Sequence, residues 1–359
     1  MRRTRMIRGV SLLVVGTLSL AACASGASPS PSAAAPTSAP PESMEPSAEP
    51  TPTEMPGTKE FTAAFTSVGL SSAPFLAAIA LLEDQGYTIE TPEIAESELV
   101  TQGVASGEFA FGSGANNATL AAIDQGASLK AIVARVNNEW TMYARNSITD
   151  CAGLGGQRLA IHSEGAVSTA MVRNYIAENC DGTEPNYLVI PGSPARLAAL
   201  LADEIDASPL ELSDSITVDN EASDRFSLLS SFAEDLPNLQ TTSIYVNGDF
   251  AEENPGTVLA LVRAVITINR EIEGDAARLQ EIAEEFVPQA INPDTIEAAS
   301  ERYVDLGMFP PDGGLTDDRM QYTSEFFGPD GAGITSAVIP LEDWVDLSFL
   351  EMVLDELGS

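Results

Sequence analysis

Four short stretches of this sequence gather small, hydroxylic and amide residues around the few groups able to bind charge. They are Ser71-Ser72-Ala73-Pro74-Phe75, Ser113-Gly114-Ala115-Asn116, His162-Ser163-Glu164-Gly165 with Ser168 just beyond, and Pro209-Leu210-Glu211. Each follows a strand-like run, and three lead into helix starts, where the first N–H groups lack intrahelical partners and favour negative charge. Such a set can hold a small polar molecule through backbone N–H and hydroxyl groups, and the same residues can equally serve as helix caps. His162 is the only histidine of the chain. At a strand end it reads either as a ligand contact or acid–base group, or as a satisfied structural residue. Arg135 closes another strand; it either neutralises an anion or forms a surface ion pair in a very acidic protein.

The chemistry of a hydrolase is not written here. There is no Gly-x-Ser-x-Gly elbow, and no local motif pairs a strand-end acid with His162. One histidine and no Cys/His cluster give no reason to expect a metal, and no cofactor motif is present. Cys151 and Cys180 flank a strand-like Arg158 to Ser163 and a helical Ala166 to Glu178. The strand climbs roughly 20 Å at about 3.3 Å per residue and the helix returns a similar distance at about 1.5 Å per residue. Both cysteines therefore finish at one end of a βα unit, placed for a disulfide in an oxidising compartment; two independent buried thiols are the alternative.

That compartment is indicated by the N-terminus. Arg2, Arg3, Arg5 and Arg8 precede an apolar run from Val10 to Leu20, the order of a secretion signal, and the run is too short to span a membrane. It ends in Leu20-Ala21-Ala22-Cys23, similar to a bacterial lipobox, in which the Cys23 thiol receives diacylglycerol. Residues 24 to 57 are mostly Ala, Ser, Pro, Thr and Glu, a composition that cannot bury a core and reads as a solvated tether. The formal charge is −36, and about −40 once the signal arginines are gone. A charge of that sign argues against nucleic acid or anionic lipid as partners and for solubility, with the acids on a solvated surface.

The elements that must position the four stretches alternate along the body, as short apolar strands and amphipathic helices do in α/β proteins with largely parallel sheets. The pattern predicts strands over Phe61–Ser67, Thr88–Ile94, Phe109–Gly112 and Leu129–Val136, with helices over Pro74–Gln85, Ser97–Gly107 and Asn117–Asp124. Trp140–Arg145 leaves this first series. A second runs through Arg158–Ser163, the helix ending near Cys180, Asn186–Ile190, a helix over Pro194–Asp203, Ala207–Leu210 and Phe226–Leu229, and Ser243–Val246 returns to the first. Passages near Arg145 and Thr242 imply two hinge strands and a cleft between two sheets. The last third is helical, with Asn254-Pro255 and Asn292-Pro293 as helix starts, Thr316 as a cap, and Val258, Leu261, Val262, Val265 and Ile268 as one apolar stripe.

Four segments carry a family resemblance: Ser72-Ala73-Pro74-Phe75-Leu76-Ala77, Gly107-Glu108-Phe109-Ala110-Phe111, Leu154-Gly155-Gly156-Gln157-Arg158-Leu159-Ala160-Ile161 and Val345-Asp346-Leu347-Ser348-Phe349-Leu350. Over Lys59 to Leu357 the chain resembles the nitrate/sulfonate/taurine and thiamine-precursor group of ABC-transporter solute-binding proteins. The resemblance implies an α/β, two-lobed periplasmic-binding-protein fold of the second topological type, with two hinge strands and a helical C-terminal region, closing on its ligand by hinge motion. The expected division is signal 1–22, lipidated Cys23 and linker 23–57, one lobe from 58–145 and 243–359, and the other from 146–242. The implied function is a monomeric, membrane-anchored, extracytoplasmic subunit that hands a small organic solute to ABC permease subunits. Strand-end ligand sites place Ser71, Ser72, Phe75, Ser113, Gly114, Asn116, Arg135, His162, Ser163, Gly165, Ser168 and Glu211 around that solute. The solute is expected to bear an acidic group; bare nitrate offers too little surface to Phe75. An extracellular sensing module is the alternative. A pyrimidine-forming thiamine enzyme, from the group's second branch, would call for a His-rich centre that one histidine cannot supply.

Overall fold

A computed structural model describes residues 55 to 358, so the signal, Cys23 and nearly all of the linker lie outside the described residues. The strands are β1 (Glu60–Phe65), β2 (Thr88–Glu90), β3 (Phe111–Ala115), β4 (Leu129–Val136), β5 (Trp140–Arg145), β6 (Arg158–Ile161), β7 (Asn186–Val189), β8 (Ala207–Glu211), β9 (Phe226–Ser231) and β10 (Thr242–Asn247). They form two five-stranded sheets, ordered β2-β1-β3-β10-β4 and β7-β6-β8-β5-β9. The crossover pairs are parallel, as expected, but β10 runs antiparallel to β3 and β4, and β5 antiparallel to β8 and β9. Each sheet therefore receives one strand from the chain that has just come from the other. That exchange puts two connections between the lobes.

The first connection is not near Arg145. All of Trp140–Arg145 pairs in the second sheet, so the chain crosses at Asn137–Glu139, where three consecutive polar residues interrupt the apolar run and Asn138 Nδ2 donates to the Phe232 carbonyl. The second connection returns into β10 at Thr242. Gln240 secures it, donating through Nε2 to the Val136 and Thr242 carbonyls.

The helices are α1 (Ala73–Asp84), α2 (Ser97–Ala105), α3 (Asn116–Asp124), α4 (Val167–Asn179), α5 (Ser193–Leu201), α6 (Leu212–Glu221), α7 (Phe232–Asp235), α8 (Gly248–Glu253), α9 (Pro255–Ile272), α10 (Ala276–Phe286), α11 (Ile296–Asp305), α12 (Asp317–Phe327), α13 (Leu341–Trp344) and α14 (Ser348–Leu357). The stripe Val258, Leu261, Val262, Val265 and Ile268 is fully buried on α9, whose Pro255 occupies the first turn. Thr316 accepts from Arg319 N and starts α12. Asn292-Pro293 does not start a helix. Asn292 accepts from Asp294 N through Oδ1 and from Thr295 N and Ile296 N through its carbonyl, closing a turn, and α11 begins at Ile296. β4 would be an exposed edge, but the C-terminal segment covers it: Val345 bridges Ala131 and Asp346 N donates to the Ala131 carbonyl. Gly112 is required on β3, because an added Cβ would fall 2.5 Å from the Tyr245 ring on the paired strand.

Cys151 and Cys180 are buried and paired, with Cα atoms 5.0 Å apart across the β6–α4 unit. Closing a loop of 29 residues is worth about 3 kcal/mol in the chain-entropy account. Cys151→Ser/Cys180→Ser is therefore expected to melt about 6 °C lower at roughly 2 °C per kcal/mol. Equal melting temperatures with and without reductant in the wild type would show that the pair contributes nothing.

Candidate functional site

The C-terminal ends of strands from both lobes converge on a cleft that has an inner and an outer part. The inner part, of about 40 Å³, is bounded on the first-lobe side by Thr66, Ser67, Ala95, Ser97, Ala115 and Arg135. Trp140, His162, Ala166, Val167, Ser168, Ser193 and Glu211 face them from the second lobe, and Thr242 stands at the return passage. The outer part, of about 320 Å³, shares Ser67, Ala95, His162, Ser193 and Glu211 with it and is further lined by Val68, Glu93 and Pro194. Larger spaces lie elsewhere, of about 440 Å³ between α6 and α11 and about 530 Å³ beyond the opposite end of the first sheet. Among the described residues, the cleft combines strand ends from both sheets with buried polar atoms that have no partner. Such atoms are rare in folded proteins and mark places where a ligand or water completes the bonding.

The lobes touch directly across it. Asn117 Nδ2, on α3, donates to the Gly165 carbonyl at 2.6 Å, and Glu98 packs so closely on Gly165 that a Cβ there would sit 1.8 Å from its carboxyl oxygen. The Ala95 carbonyl faces His162. His162 Nδ1 accepts from Gly192 N at 3.0 Å, a geometry that Gly192 permits by its φ of +86°. This fixes the neutral imidazole as an acceptor on Nδ1, and burial together with Arg196 holds its pKa below the ordinary histidine value.

Two guanidinium groups and two carboxyl groups are buried around the floor, and a third carboxyl, Asp214, is half-buried beside them. Arg135 is 6 % exposed, donates through Nη1 to the Thr66 carbonyl at 3.0 Å, and has no partner at Nε. Arg196, on α5, is fully buried; Nε donates to the Pro209 carbonyl and Nη1 to that of Ile190, its carbon lies 5.8 Å from the Trp140 ring centre, and Nη2 is unpaired. Burial lowers its pKa to about 10, with Glu211 and Asp214 opposing. Glu139, on the first inter-lobe passage, accepts from the Tyr303 hydroxyl of α11, and burial raises its pKa. Asp214, in the first turn of α6, is raised for the same reason. Glu211 ends β8, receives no hydrogen bond at its carboxyl from any described residue, and has its pKa pushed up to about 8 by burial and then by Glu139 and Asp214.

Of the residues expected around a solute, Arg135, His162, Ser168 and Glu211 line the cleft. Ser113 is buried within β3 and Ser163 is half-buried just past β6, both with unpaired hydroxyls, Gly114 sits under the Tyr245 hydroxyl, and Gly165 makes the inter-lobe contact. Ser71 is buried beside Glu139. Three others have structural work. Ser72 Oγ donates to the Gly69 carbonyl and accepts from Gly69 N, closing the turn before α1; Phe75 packs on Phe65 in the core; Asn116 ties α3 to the Gln240 and Thr241 carbonyls. Thr66, Ser67, Ser97, Trp140, Ser193 and Thr242 were not expected there. Ser67 carried the clearest signal, lying just past a strand and within the same hydroxylic run.

Two mixed sheets exchanging strands across a cleft define the two-lobed periplasmic-binding-protein fold of the second topological type. The family model described as "NMT1/THI5 like" matches residues 72–267; the chain belongs to that family. No curated protein matches the chain. Among solved structures, the chain is similar to the ligand-binding component of an ABC-type import system from Staphylococcus aureus, at 11% identity and TM-score 0.67 over 82% of this chain and 99% of that one. A putative sulfonate ABC transporter periplasmic sulfonate-binding protein from Methylobacillus flagellatus matches at 17% and 0.61 over 84% and 96%. The periplasmic nitrate-binding protein of Synechocystis matches at 13% and 0.59 over 84% and 90%. At these identities the likeness is one of fold.

Proposed function

We propose that this protein is the extracytoplasmic solute-binding subunit of an ABC importer, a monomer that closes on a small organic solute and delivers it to permease subunits. The observation that carries this reading is the cleft itself, a polar space lined from both lobes and bridged by the Asn117–Gly165 bond. The solute classes in view are sulfonate-, taurine- and pyrimidine-precursor-like. Similar folds serve proteins named for sulfonate and nitrate binding, which supports the class of function. The histidine is committed to a backbone N–H rather than to a serine or a carboxylate, which favours binding over acid–base catalysis. The start of α4 and the unpaired Arg135 Nε and Ser168 Oγ supply donors for an acidic group on the solute.

Mass spectrometry of small molecules released from the purified protein, followed by calorimetry with what is found, tests the reading. Arg135→Gln is expected to weaken that solute by about 10- to 100-fold, the loss of one charged hydrogen bond. A protein that neither carries nor binds any small molecule would refute the function, and unchanged affinity in Arg135→Gln would misplace the site.

The membrane anchor belongs to the same proposal. Export and lipidation at Cys23 hold the body outside the membrane on the 23–57 tether, where oxidation of Cys151 and Cys180 is favoured. Lobes of 58–145 with 243–359 and of 146–242 describe the body, with the first boundary moved to the passage at 137–139. Cys23→Ser is expected to abolish lipid labelling and release the protein into the medium or leave its signal uncleaved; unchanged membrane retention would exclude the anchor.

A further inference from the structure

The cleft holds more acid than a site for a simple anion needs. Glu211 lines both its inner and outer parts, is 9 % exposed, and reaches across to within 3.5 Å of where a Cβ on Gly69 of the first lobe would lie. Its carboxyl is hydrogen-bonded to no described residue, although buried carboxyl groups ordinarily are. The charged and titratable groups facing it are Glu139 on the first passage, Asp214 on α6, Arg135 on β4, Arg196 on α5 and Tyr303 on α11, with His162 on the same wall. Arg196 donates to two carbonyls and lies by the Trp140 ring, with Nη2 left unpaired. Arg135 is bonded only through Nη1, with Nε buried and unpaired, and Ser168, 1 % exposed, has an unpaired hydroxyl. The cleft thus presents an acceptor with no donor and, beside it, donors with no acceptor.

We propose that the solute is amphoteric: a positively charged nitrogen docks on the Glu211 carboxylate while an oxyanion on the same molecule takes the free donors of Arg135 and Ser168. A purely anionic solute would leave the Glu211 carboxyl without a cationic partner, and a purely cationic one would leave Arg135 and Ser168 unsatisfied. Glu211 holds its proton at pH 7 in the free protein, since its pKa is pushed up to about 8. Docking of an ammonium group ionises it, so the proton leaves to solvent as the ion pair forms. Binding and release of about one proton are then one event.

This rests on the solute-binding reading, and the test separates the two. Matched pairs differing only in the nitrogen are used as probes: taurine with ethanesulfonate, and β-alanine with propionate, each titrated calorimetrically at pH 7 in buffers of different ionisation enthalpy. The ammonium member of at least one pair is expected to bind at least about tenfold tighter than its partner and to release close to one proton. Glu211→Gln is expected to abolish both the preference and the proton release, and its melting temperature reports that it is folded. If ethanesulfonate or propionate binds and no ammonium member outranks its partner, the amphoteric assignment falls while the solute-binding function stands. If no probe binds and the purified protein releases no small molecule, both fall. A preference that survives in Glu211→Gln also overturns the assignment, because another group would then receive the nitrogen.

Discussion

At pH 8, the Glu211→Gln protein is expected to melt about 5–10 °C above the wild type, and the gap is expected to close by pH 5. The sign follows from proton linkage. The unfolded chain ionises Glu211 near the ordinary carboxylate value of 4.5, whereas the folded chain keeps the proton up to about 8. Between those values the folded state binds more protons than the unfolded one, so stability is greatest below 4.5, falls as pH rises, and levels off above about 8. The cost at the upper end is on the order of 4 kcal/mol, and glutamine removes it while keeping the shape and a hydrogen-bonding end. Glu139 and Asp214 are raised in the same direction, so the wild-type slope is steeper than Glu211 alone would give. Asp206 opposes them at low pH. Its bonds from Arg158 and Arg145 hold its pKa below the ordinary value, and that stabilisation is lost as pH falls through the acid range below 3.8. The melting temperature of the wild type should therefore peak near pH 4, between the ordinary values of 3.8 and 4.5, and fall from there to pH 8. A flat profile from pH 5 to 8, or a Glu211→Gln protein no more stable than wild type at pH 8, would show that Glu211 is solvated in the folded protein. A site residue whose removal stabilises the fold is the usual mark of a group retained for binding.

The sequence made the scaffold legible wherever hydrophobic period and punctuation agreed. Leu129–Val136 and Trp140–Arg145 fall on β4 and β5 to the residue, and the α9 stripe lies where its spacing puts it. Legibility stopped where a local signal contradicts its surroundings. The run 212–221 mixes Ser and Asp with the β-branched Ile216, Thr217 and Val218, a weak helix pattern, yet β8 and α11 hold it as α6. Trp140 pointed to a strand and nothing more; its place in the cleft comes from the antiparallel pairing of β5 with β8, which sets it opposite Glu211. The acids misled most. In a chain with 53 of them, a solvated surface is the natural reading, and no local feature separates Glu139 or Asp214 from the rest. Their placement beside Glu211, Glu139 buried and Asp214 half-buried, is a tertiary fact. It turns the expectation of a site for an acidic group into one for a molecule with both charges.

Arg196 is what makes so much buried acid tolerable, and its removal should be the most damaging single change in the second lobe. Arg196→Met roughly preserves volume but strips donors from the Pro209 and Ile190 carbonyls, takes the cation from the Trp140 ring, removes the cation acting on Asp214, and leaves Glu211 with Arg135 alone. Breaking a buried charged network from one side costs about 3–5 kcal/mol, which corresponds to a fall of roughly 6–10 °C in melting temperature. The backbone share of that loss does not depend on pH, whereas the electrostatic share does, because Glu211 is neutral below about 8 and ionised above it. A double-mutant cycle with Glu211→Gln separates the two. At pH 6 the cost of Arg196→Met should be nearly the same in both backgrounds. At pH 9 it should be smaller by at least about 1 kcal/mol where Glu211 has been replaced, since no carboxylate remains there to be stranded. Equal costs at pH 9 would mean that Arg196 acts only through its carbonyls and the Trp140 ring, and that Glu211 answers to Arg135 alone.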